Sequence, residues 1–390
     1  MREFQRTRKK KFSVWRILLT IALGIPAMVL TVKILNWSVI NVGVPGNANA
    51  ASTAEFAVMD RYDMKMTNAV SSALEGVLDI EKVYWLNDDD QIAPEPDQAK
   101  YSYTTDPASL QDFLDKAKEL LGVEDTVFTT KTQIYTGSQV ITYLDETIMV
   151  ITWKEMINDI VYTMSEVKIA HPSQFRRFLA GGVYGSDKQY VTSEMAAMVN
   201  AVTASSGDFY KFRAYGIKVY DGQVMHAQGS LDTLYIDDAG DFLFTYRGEI
   251  KDKETAQKFV DENNIRFSLS FGPILVHDGQ LVKIPQDYTV GEVADNQYYP
   301  RAAIAKMPGE LHYLMVVANQ DPPRGYERAP TMPEFARQLY AFGVEQAYAL
   351  DGGQTAVIVT NDQLINRPSY GYQRMISDII YFATAIPDGG

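Results

Sequence analysis

The segment Leu350-Asp351-Gly352-Gly353-Gln354-Thr355-Ala356 combines residue types that can hold a polar ligand. Val344 to Leu350 reads as an apolar strand, so Asp351 sets a carboxylate at a strand end. Gly352 and Gly353 let the backbone turn sharply and expose N–H groups beside that carboxylate. Gln354 and Thr355 are expected on the strand that follows. The arrangement suits a sugar or a phosphate, and a plain hairpin turn would use the same residues. Other chemistries lack their parts. The chain has no cysteine, which excludes disulfide scaffolds, thiolate nucleophiles, cysteine zinc sites and iron–sulfur clusters. Its four histidines, His171, His226, His277 and His312, show no His-x-x-x-His spacing, so a helical zinc-hydrolase motif is absent. His226 and His277 fall in or beside hairpins and read as surface residues; His312 reads as structural. No Gly-x-Ser-x-Gly elbow and no phosphate-loop Gly-Lys-Ser/Thr occurs.

Three further segments place polar groups at turns. Ser205-Ser206-Gly207-Asp208-Phe209-Tyr210 follows a helix, with Lys211 and Arg213 close behind. Tyr299-Pro300-Arg301 puts an arginine ahead of an apolar run. Asn366-Arg367-Pro368-Ser369-Tyr370-Gly371-Tyr372-Gln373-Arg374 precedes a terminal strand bearing Asp378. The elements that position them follow from pattern and punctuation. Asp106-Pro107 opens a helix that Gly122 ends, with Leu110, Phe113, Leu114, Ala117 and Leu121 on one face. Met59 to Leu78 also looks helical. Thr147–Trp153, Val161–Ile169 and Leu311–Ala318 read as strands. Thr192 or Ser193 caps a helix carrying Met195, Met198, Val199 and Val202. Asp221-Gly222 and Asp278-Gly279 mark two hairpins. Thr331-Met332-Pro333-Glu334 is a capping box for a helix with Phe335, Leu339 and Phe342, ended by Gly343. Residues 355–359, 363–365 and 376–384 supply the last strands. The fold expected is α+β: a mixed, mostly antiparallel sheet with packed helices, preceded by a single transmembrane helix.

Taken in order, Thr192-Ser193-Glu194-Met195-Ala196, Gly207-Asp208-Phe209-Tyr210, Phe271-Gly272-Pro273, Arg301-Ala302-Ala303-Ile304, Leu350-Asp351-Gly352-Gly353 and Asn366-Arg367-Pro368 resemble the phosphodiester glycosidase family. The resemblance covers about residues 160–386. The animal member of that family removes N-acetylglucosamine from a sugar-1-phosphodiester, and bacterial members are often described as exopolysaccharide biosynthesis proteins. Two stretches depart from the usual pattern. Ser205-Ser206 replace Ile-Asn ahead of Gly207-Asp208, and Gln354-Thr355-Ala356 replace Gly-Ser-Ser after Gly353.

The resemblance implies cleavage of the bond between a sugar C1 and a phosphodiester oxygen. The leaving group is a phosphate monoester, which departs as an anion, so strong general-acid help is less needed than in ordinary glycoside hydrolysis. Asp351 and Asp208 are the expected carboxylates, to stabilise or attack the oxocarbenium-like carbon or to activate water. Arg301, with Arg213 or Arg374, is the expected phosphate clamp, because a guanidinium grips two oxygens at once. Gly352 and Gly353 would offer backbone donors. Gly207, Gln354 and Thr355 complete the substrate-binding set, and Asp378 would orient an arginine. No cofactor is expected and no metal ligands are assigned, although acids around a phosphate make calcium or another divalent cation conceivable. A non-catalytic envelope protein that binds a glycan or acts as a scaffold through the same cleft is the alternative. Residues 53–155 could instead bind a protein partner.

Charge is distributed unevenly. The 390 residues carry a net charge of −13, yet residues 1–36 hold eight Lys or Arg and only one acid. An acidic body disfavours nucleic acid as a partner. Ile17 to Val32 is free of charge, and with Trp15 and Trp37 at its flanks it is long enough to cross a bilayer if Arg16 and Lys33 snorkel. The basic head puts the N-terminus in the cytoplasm and the rest outside. A cleaved signal peptide ending near Ala48-Asn49-Ala50 is the competing reading. The expected organisation is a basic head and signal anchor over 1–38, a linker over 39–52, a membrane-proximal α+β region over 53–155, and a phosphodiester glycosidase-like domain over 156–390. The bilayer would meet residues 12–37. Lack of cysteine in an exported chain suits a Gram-positive cell surface. Asp88-Asp89-Asp90 lacks the glycine and closing glutamate of a calcium loop and reads as a solvated acidic turn.

Overall fold

A computed structural model describes residues 92–213, 215–285, 288–290, 293–294, 296–320 and 328–386. The candidate span at 17–32, the helix expected at Met59–Leu78 and the acidic turn at Asp88–Asp90 lie outside these residues. Among the described residues no helix is long and apolar enough to cross a membrane.

In chain order the elements are β1 (Tyr101–Thr104), α1 (Pro107–Leu121), β2 (Val140–Leu144), β3 (Ile148–Ile157), β4 (Ile160–Ile169), β5 (Phe175–Leu179), α2 (Thr192–Met198) and β6 (Thr203–Ser206). Then come β7 (Gly216–Tyr220), β8 (Gln223–Gln228), β9 (Thr233–Asp237), β10 (Phe242–Thr245), α3 (Lys253–Glu262), β11 (Ile265–Leu269), β12 (Ile274–His277) and β13 (Gln280–Leu281). After the short pair β14 (Thr289–Val290) and β15 (Val293–Ala294) follow β16 (Arg301–Lys306), β17 (His312–Asn319), α4 (Met332–Ala341), β18 (Gln346–Leu350), β19 (Ile358–Thr360), β20 (Gln363–Leu364) and β21 (Asp378–Phe382). The result is a mostly antiparallel α+β fold.

A nine-stranded sheet in the order β1-β2-β3-β4-β17-β16-β18-β12-β13 is its centre. Strands from before and after residue 156 share this sheet, because β3 and β4 pair along their whole length. Side chains alternate along its central strands. Met149, Ile151, Trp153, Ala303 and Ala305 face α1 and α4, where Leu110, Phe335 and Leu339 fill the layer. Ile148, Val150, Ala302, Ile304 and Leu350 face the other way, toward Phe175, Leu234, Ile358 and Phe382 of the smaller sheets. With both faces covered, the central strands are apolar on both sides. A five-stranded sheet, β20-β19-β6-β21-β5, and a three-stranded one, β10-β9-β11, make up that second layer.

Local chemistry sets the element ends. Asp106 accepts from Ser109 N at 2.9 Å to start α1, and Gly122 ends it with φ 65°. Both Asp-Gly hairpins form, with positive φ at Asp221, Gly222, Asp278 and Gly279, as their tight turns require. Helix α2 starts at Thr192 with Val191 in the cap position, and Val202 lies beyond its end. His312 is buried in β17, with Nε2 2.9 Å from Glu166 Oε1, and Glu166 also accepts from the backbone N–H groups of Val127 and Phe128. Thr331 and Glu334 cap α4 reciprocally, and Arg328 grips Glu334 through both terminal nitrogens at 2.9 and 2.8 Å. Arg328 and the cap bonds hold the Glu334 carboxyl down at about 2. Thr331→Ala is expected to lower unfolding free energy by about 1 kcal/mol in urea melts with an unchanged slope, and Thr331→Ser to retain most of it.

Candidate active site

Two sheets end at the same place. In the central sheet Ala302 pairs with Leu350, so Arg301 and Asp351 sit side by side at one edge. In the five-stranded sheet Ser206 pairs with Ile379, which brings Gly207 against Asp378. The edges are stitched together. Asp351 N donates to Gly207 O at 3.1 Å, and Ser206 Oγ donates to Asp351 O at 2.9 Å. Gly207 fits because a Cβ there would stand 1.9 Å from Asp378 Oδ2.

A cleft of about 740 Å³ opens at this junction, within the roughly 300–1,000 Å³ of small-ligand sites. Of the residues expected to form a site, Asp351, Gly352, Arg213, Arg301 and Arg374 line it. Each arginine is backed by an aromatic ring. Arg213 lies 4.1 Å over Phe271, Arg374 4.7 Å over Phe209, and Arg301 5.9 Å over Tyr299. Arg374 also pairs with Asp351 Oδ2 at 2.6 Å. Three guanidinium groups against one carboxylate leave the lining cationic on an otherwise acidic chain. Burial pushes the Asp351 carboxyl up to about 6, against the pull of Arg374, the Thr355 hydroxyl and Arg213. Burial pulls Arg213 below its usual range, opposed by Asp351 and then Asp208.

Other expected residues fall elsewhere. Gly207, Asp208 and Asp378 lie behind the cleft wall. Asp208 is buried, accepting from Arg177 at 2.7 Å and from Ser270 N at 2.8 Å. Asp378 is equally buried and accepts from Arg177 Nε at 3.0 Å and from Asp208 N at 3.2 Å. Asp378 therefore orients an arginine that does not line the cleft. Gly353 N–H is spent on Pro300 O at 2.9 Å, so it is not aimed at a ligand. Gln354 and Thr355 are not on a strand. They form a single 3-10 turn, Gly353–Thr355, because Gly353 at φ 67° reverses the chain before β19 begins at Ile358. Thr355 Oγ1 closes that turn onto Gly352 O at 2.7 Å.

Arg177 is not expected from the sequence. It belongs to Phe175-Arg176-Arg177-Phe178-Leu179, and the only signal is an arginine pair inside an apolar strand. Burial opposes its charge, but Asp208 and then Asp378 outweigh it and hold the guanidinium above its usual range. Burial pushes Asp378 above the ordinary carboxylate range. Sequence reasoning also misses the aromatic backing residues Phe209 and Phe271, although both lie within the motifs that carry the family resemblance. Lys218, buried in β7, donates to the carbonyls of Tyr210 and Arg213 and so fixes the turn that presents Phe212 and Arg213. Among the described residues no group of three or more His, Asp or Glu is placed to hold a metal ion.

Residues 199–383 match the family described as phosphodiester glycosidase, and those residues supply every group that lines the cleft. That matched stretch, a little under half of the chain, is similar to a phosphodiester glycosidase domain. Among solved structures, the chain is similar to the catalytic domain of zebrafish N-acetylglucosamine-1-phosphodiester alpha-N-acetylglucosaminidase, auto-inhibited by its pro-peptide, at 16% identity and a TM-score of 0.48, covering 68% of this chain and 92% of that one. A hypothetical protein from Synechocystis is similar at 14% identity and a TM-score of 0.44, covering 63% of this chain and 64% of that one. No curated protein sequence matches.

The Asp208–Arg177–Asp378 cluster behind the cleft gives a stability test. Arg177→Met leaves two buried carboxylates without their cation and is expected to cost about 3–5 kcal/mol. Both carboxylates then prefer the protonated form in the folded state. The deficit should therefore be smallest below the ordinary carboxylate pKa and grow as pH rises above it. Guanidinium chloride melts at acidic and neutral pH check the sign. Adding Asp208→Asn and Asp378→Asn should remove the pH dependence.

Proposed function

We propose that the protein is a membrane-anchored, extracytoplasmic hydrolase that cleaves a sugar-1-phosphodiester of an envelope polysaccharide or wall polymer. The observation that carries this reading is the pairing, in one cleft, of a buried carboxylate with three guanidinium groups. Arg213, Arg301 and Arg374 suit the two unesterified oxygens of a phosphodiester and the extra charge that develops as the phosphate monoester leaves. Asp351 faces the same space, where it would steady the oxocarbenium-like C1 or take a proton from the attacking water. In that step the C1–O bond breaks with its electron pair going to phosphate, and water oxygen bonds to C1. Aromatic backing, with burial for Arg301 and the Asp351 ion pair for Arg374, keeps the guanidinium groups fixed before substrate arrives, so little reorganisation accompanies charge development. Asp208 acts from behind, through Arg177 and the Ser270 backbone, in holding the wall. The domain match over residues 199–383 supports a hydrolase of phosphodiester-linked sugars. The anchor rests on residues 1–38 of the sequence, and the outward orientation on their basic charge.

The Gln354 side chain favours a second reading, a glycan-binding protein without turnover. Its amide nitrogen is buried without a hydrogen-bond partner, where the usual family pattern has glycine. Incubating the full-length chain with an N-acetylglucosamine-1-phosphodiester decides between them. Release of free sugar, lost in Asp351→Ala, is expected; tight binding with no release would overturn the hydrolase in favour of the binder. Because Asp351 acts as the carboxylate, kcat/KM should rise across a limb near pH 6, and that limb should be missing from any residual activity of Asp351→Asn. Arg374→Met, by removing the cation that favours ionisation, should move the limb to higher pH.

A further inference from the structure

We propose that the cleft is the central part of a longer saccharide-binding surface, in which sugars flanking the scissile residue stack on Tyr370 and Tyr372 on one side and on Phe212 and Tyr215 on the other. The inference rests on the reading of the cleft as a sugar-phosphate site and adds to it which side chains outside the cleft hold the sugars next to the scissile one.

Large exposed aromatic side chains line this cleft or stand on a turn packed beside it. Phe212 and Tyr215 line it with 46% and 52% of their surface in water. Tyr370 and Tyr372 are 85% and 64% exposed and stand on the segment that delivers Arg374 to the cleft. The turn Ser369–Gly371 packs against the turn Gly353–Thr355, which directly follows Asp351 and Gly352. Exposed apolar residues scattered singly call for no explanation, whereas several around one polar cleft mark a binding surface.

Backbone strain points the same way. Tyr370 has φ 62° and ψ 6°, a left-handed conformation that bulky residues avoid. Phe209, which lines the cleft, shares that conformation at φ 63°. Phe209 recovers the cost by stacking on Phe212 at 4.5 Å and under Arg374. The Tyr370 ring, almost wholly in solvent, has no such packing to offset its strain. A ligand that covers it would supply the missing contact.

The chemistry selects a saccharide. Sugar rings present C–H faces that lie flat on aromatic rings, and the tyrosine hydroxyls can bond ring hydroxyls at the edge. The charged part of such a chain is already provided for by Arg213, Arg301 and Arg374. The cations near these aromatics are Lys211, Arg213, Arg367 and Arg374; Arg213 and Arg374 line the cleft and Arg374 is paired with Asp351, so much of this charge is directed into the cleft rather than spread around the rings as a bilayer surface would require.

The test compares the full-length protein with its Tyr370→Ala/Tyr372→Ala variant on two probes. One is a methyl phosphodiester of N-acetylglucosamine-1-phosphate; the other is a tetramer of N-acetylglucosamine joined by 1-phosphodiester links. The ratio of kcat/KM for the tetramer to that for the single sugar is expected to exceed unity in the wild type and to fall about tenfold in the variant. Equal ratios in wild type and variant, or equal losses on both probes, would overturn the inference while leaving the hydrolase in place. Should neither probe turn over, calorimetric binding of the tetramer that weakens about tenfold in the variant would support the surface and sink the hydrolase. Tyrosine-dependent binding to neutral lipid vesicles, with none to the tetramer, would overturn it in favour of a membrane.

Discussion

The site exists because two sheets are tied together at their edges. Asp351 directly follows the end of β18 and Gly207 the end of β6, and neither strand belongs to the other's sheet. Two hydrogen bonds hold the edges in register, Asp351 N–H to the Gly207 carbonyl and the Ser206 hydroxyl to the Asp351 carbonyl. Both are buried, so breaking either would leave a desolvated polar group at a cost of about 1–3 kcal/mol. Ser206 is one of the positions at which this chain departs from the pattern it resembles, and the departure has a structural consequence. Its short hydroxyl reaches the backbone of the strand end that bears the carboxylate.

Charge is arranged in two layers around that junction. The inner layer pairs one guanidinium, Arg177, with two carboxylates, Asp208 and Asp378. The outer layer reverses the ratio, with three guanidinium groups and Asp351 facing the cleft. An anion approaching from solvent therefore meets the cationic layer first. The inner acids help offset its charge without occupying the cavity, as the pull of Asp208 on Arg213 illustrates. Interactions of this kind are stronger in a site with aromatic walls than in water, because the local dielectric is lower.

Much of this fold is legible in local residue patterns. Asp221-Gly222 and Asp278-Gly279 sit between apolar pairs, and only a tight turn with positive φ satisfies both features. Asp106-Pro107 and Thr331 to Glu334 announce helix starts through donors that need an acceptor three residues away. Asp351 is legible only in company: a carboxylate and two glycines after an apolar run equally suit a hairpin turn, and the ordered motifs around Asp208, Arg301 and Asn366 point to a site. Arg177 is not legible, because its partners lie 31 and 201 residues along the chain and nothing near it in sequence marks them. Asp208 is misleading for the same reason. A carboxylate after glycine in a polar turn looks solvent-facing, and only the register of β6 against β21 turns it inward. Gln354 and Thr355 read as strand because the pattern after the glycines is extended, whereas the left-handed backbone of Gly353 closes a turn there.

The central claim concerns which bond breaks, and isotope transfer reads that directly. An N-acetylglucosamine-1-phosphodiester is hydrolysed by the full-length protein in water enriched in oxygen-18, and both products are weighed by mass spectrometry. Attack at C1 predicts the label in the anomeric hydroxyl of the released sugar and none in the phosphate monoester. Label in the phosphate would mean that water attacks phosphorus, which contradicts a carboxylate at Asp351 serving C1 and three arginines receiving the departing phosphate.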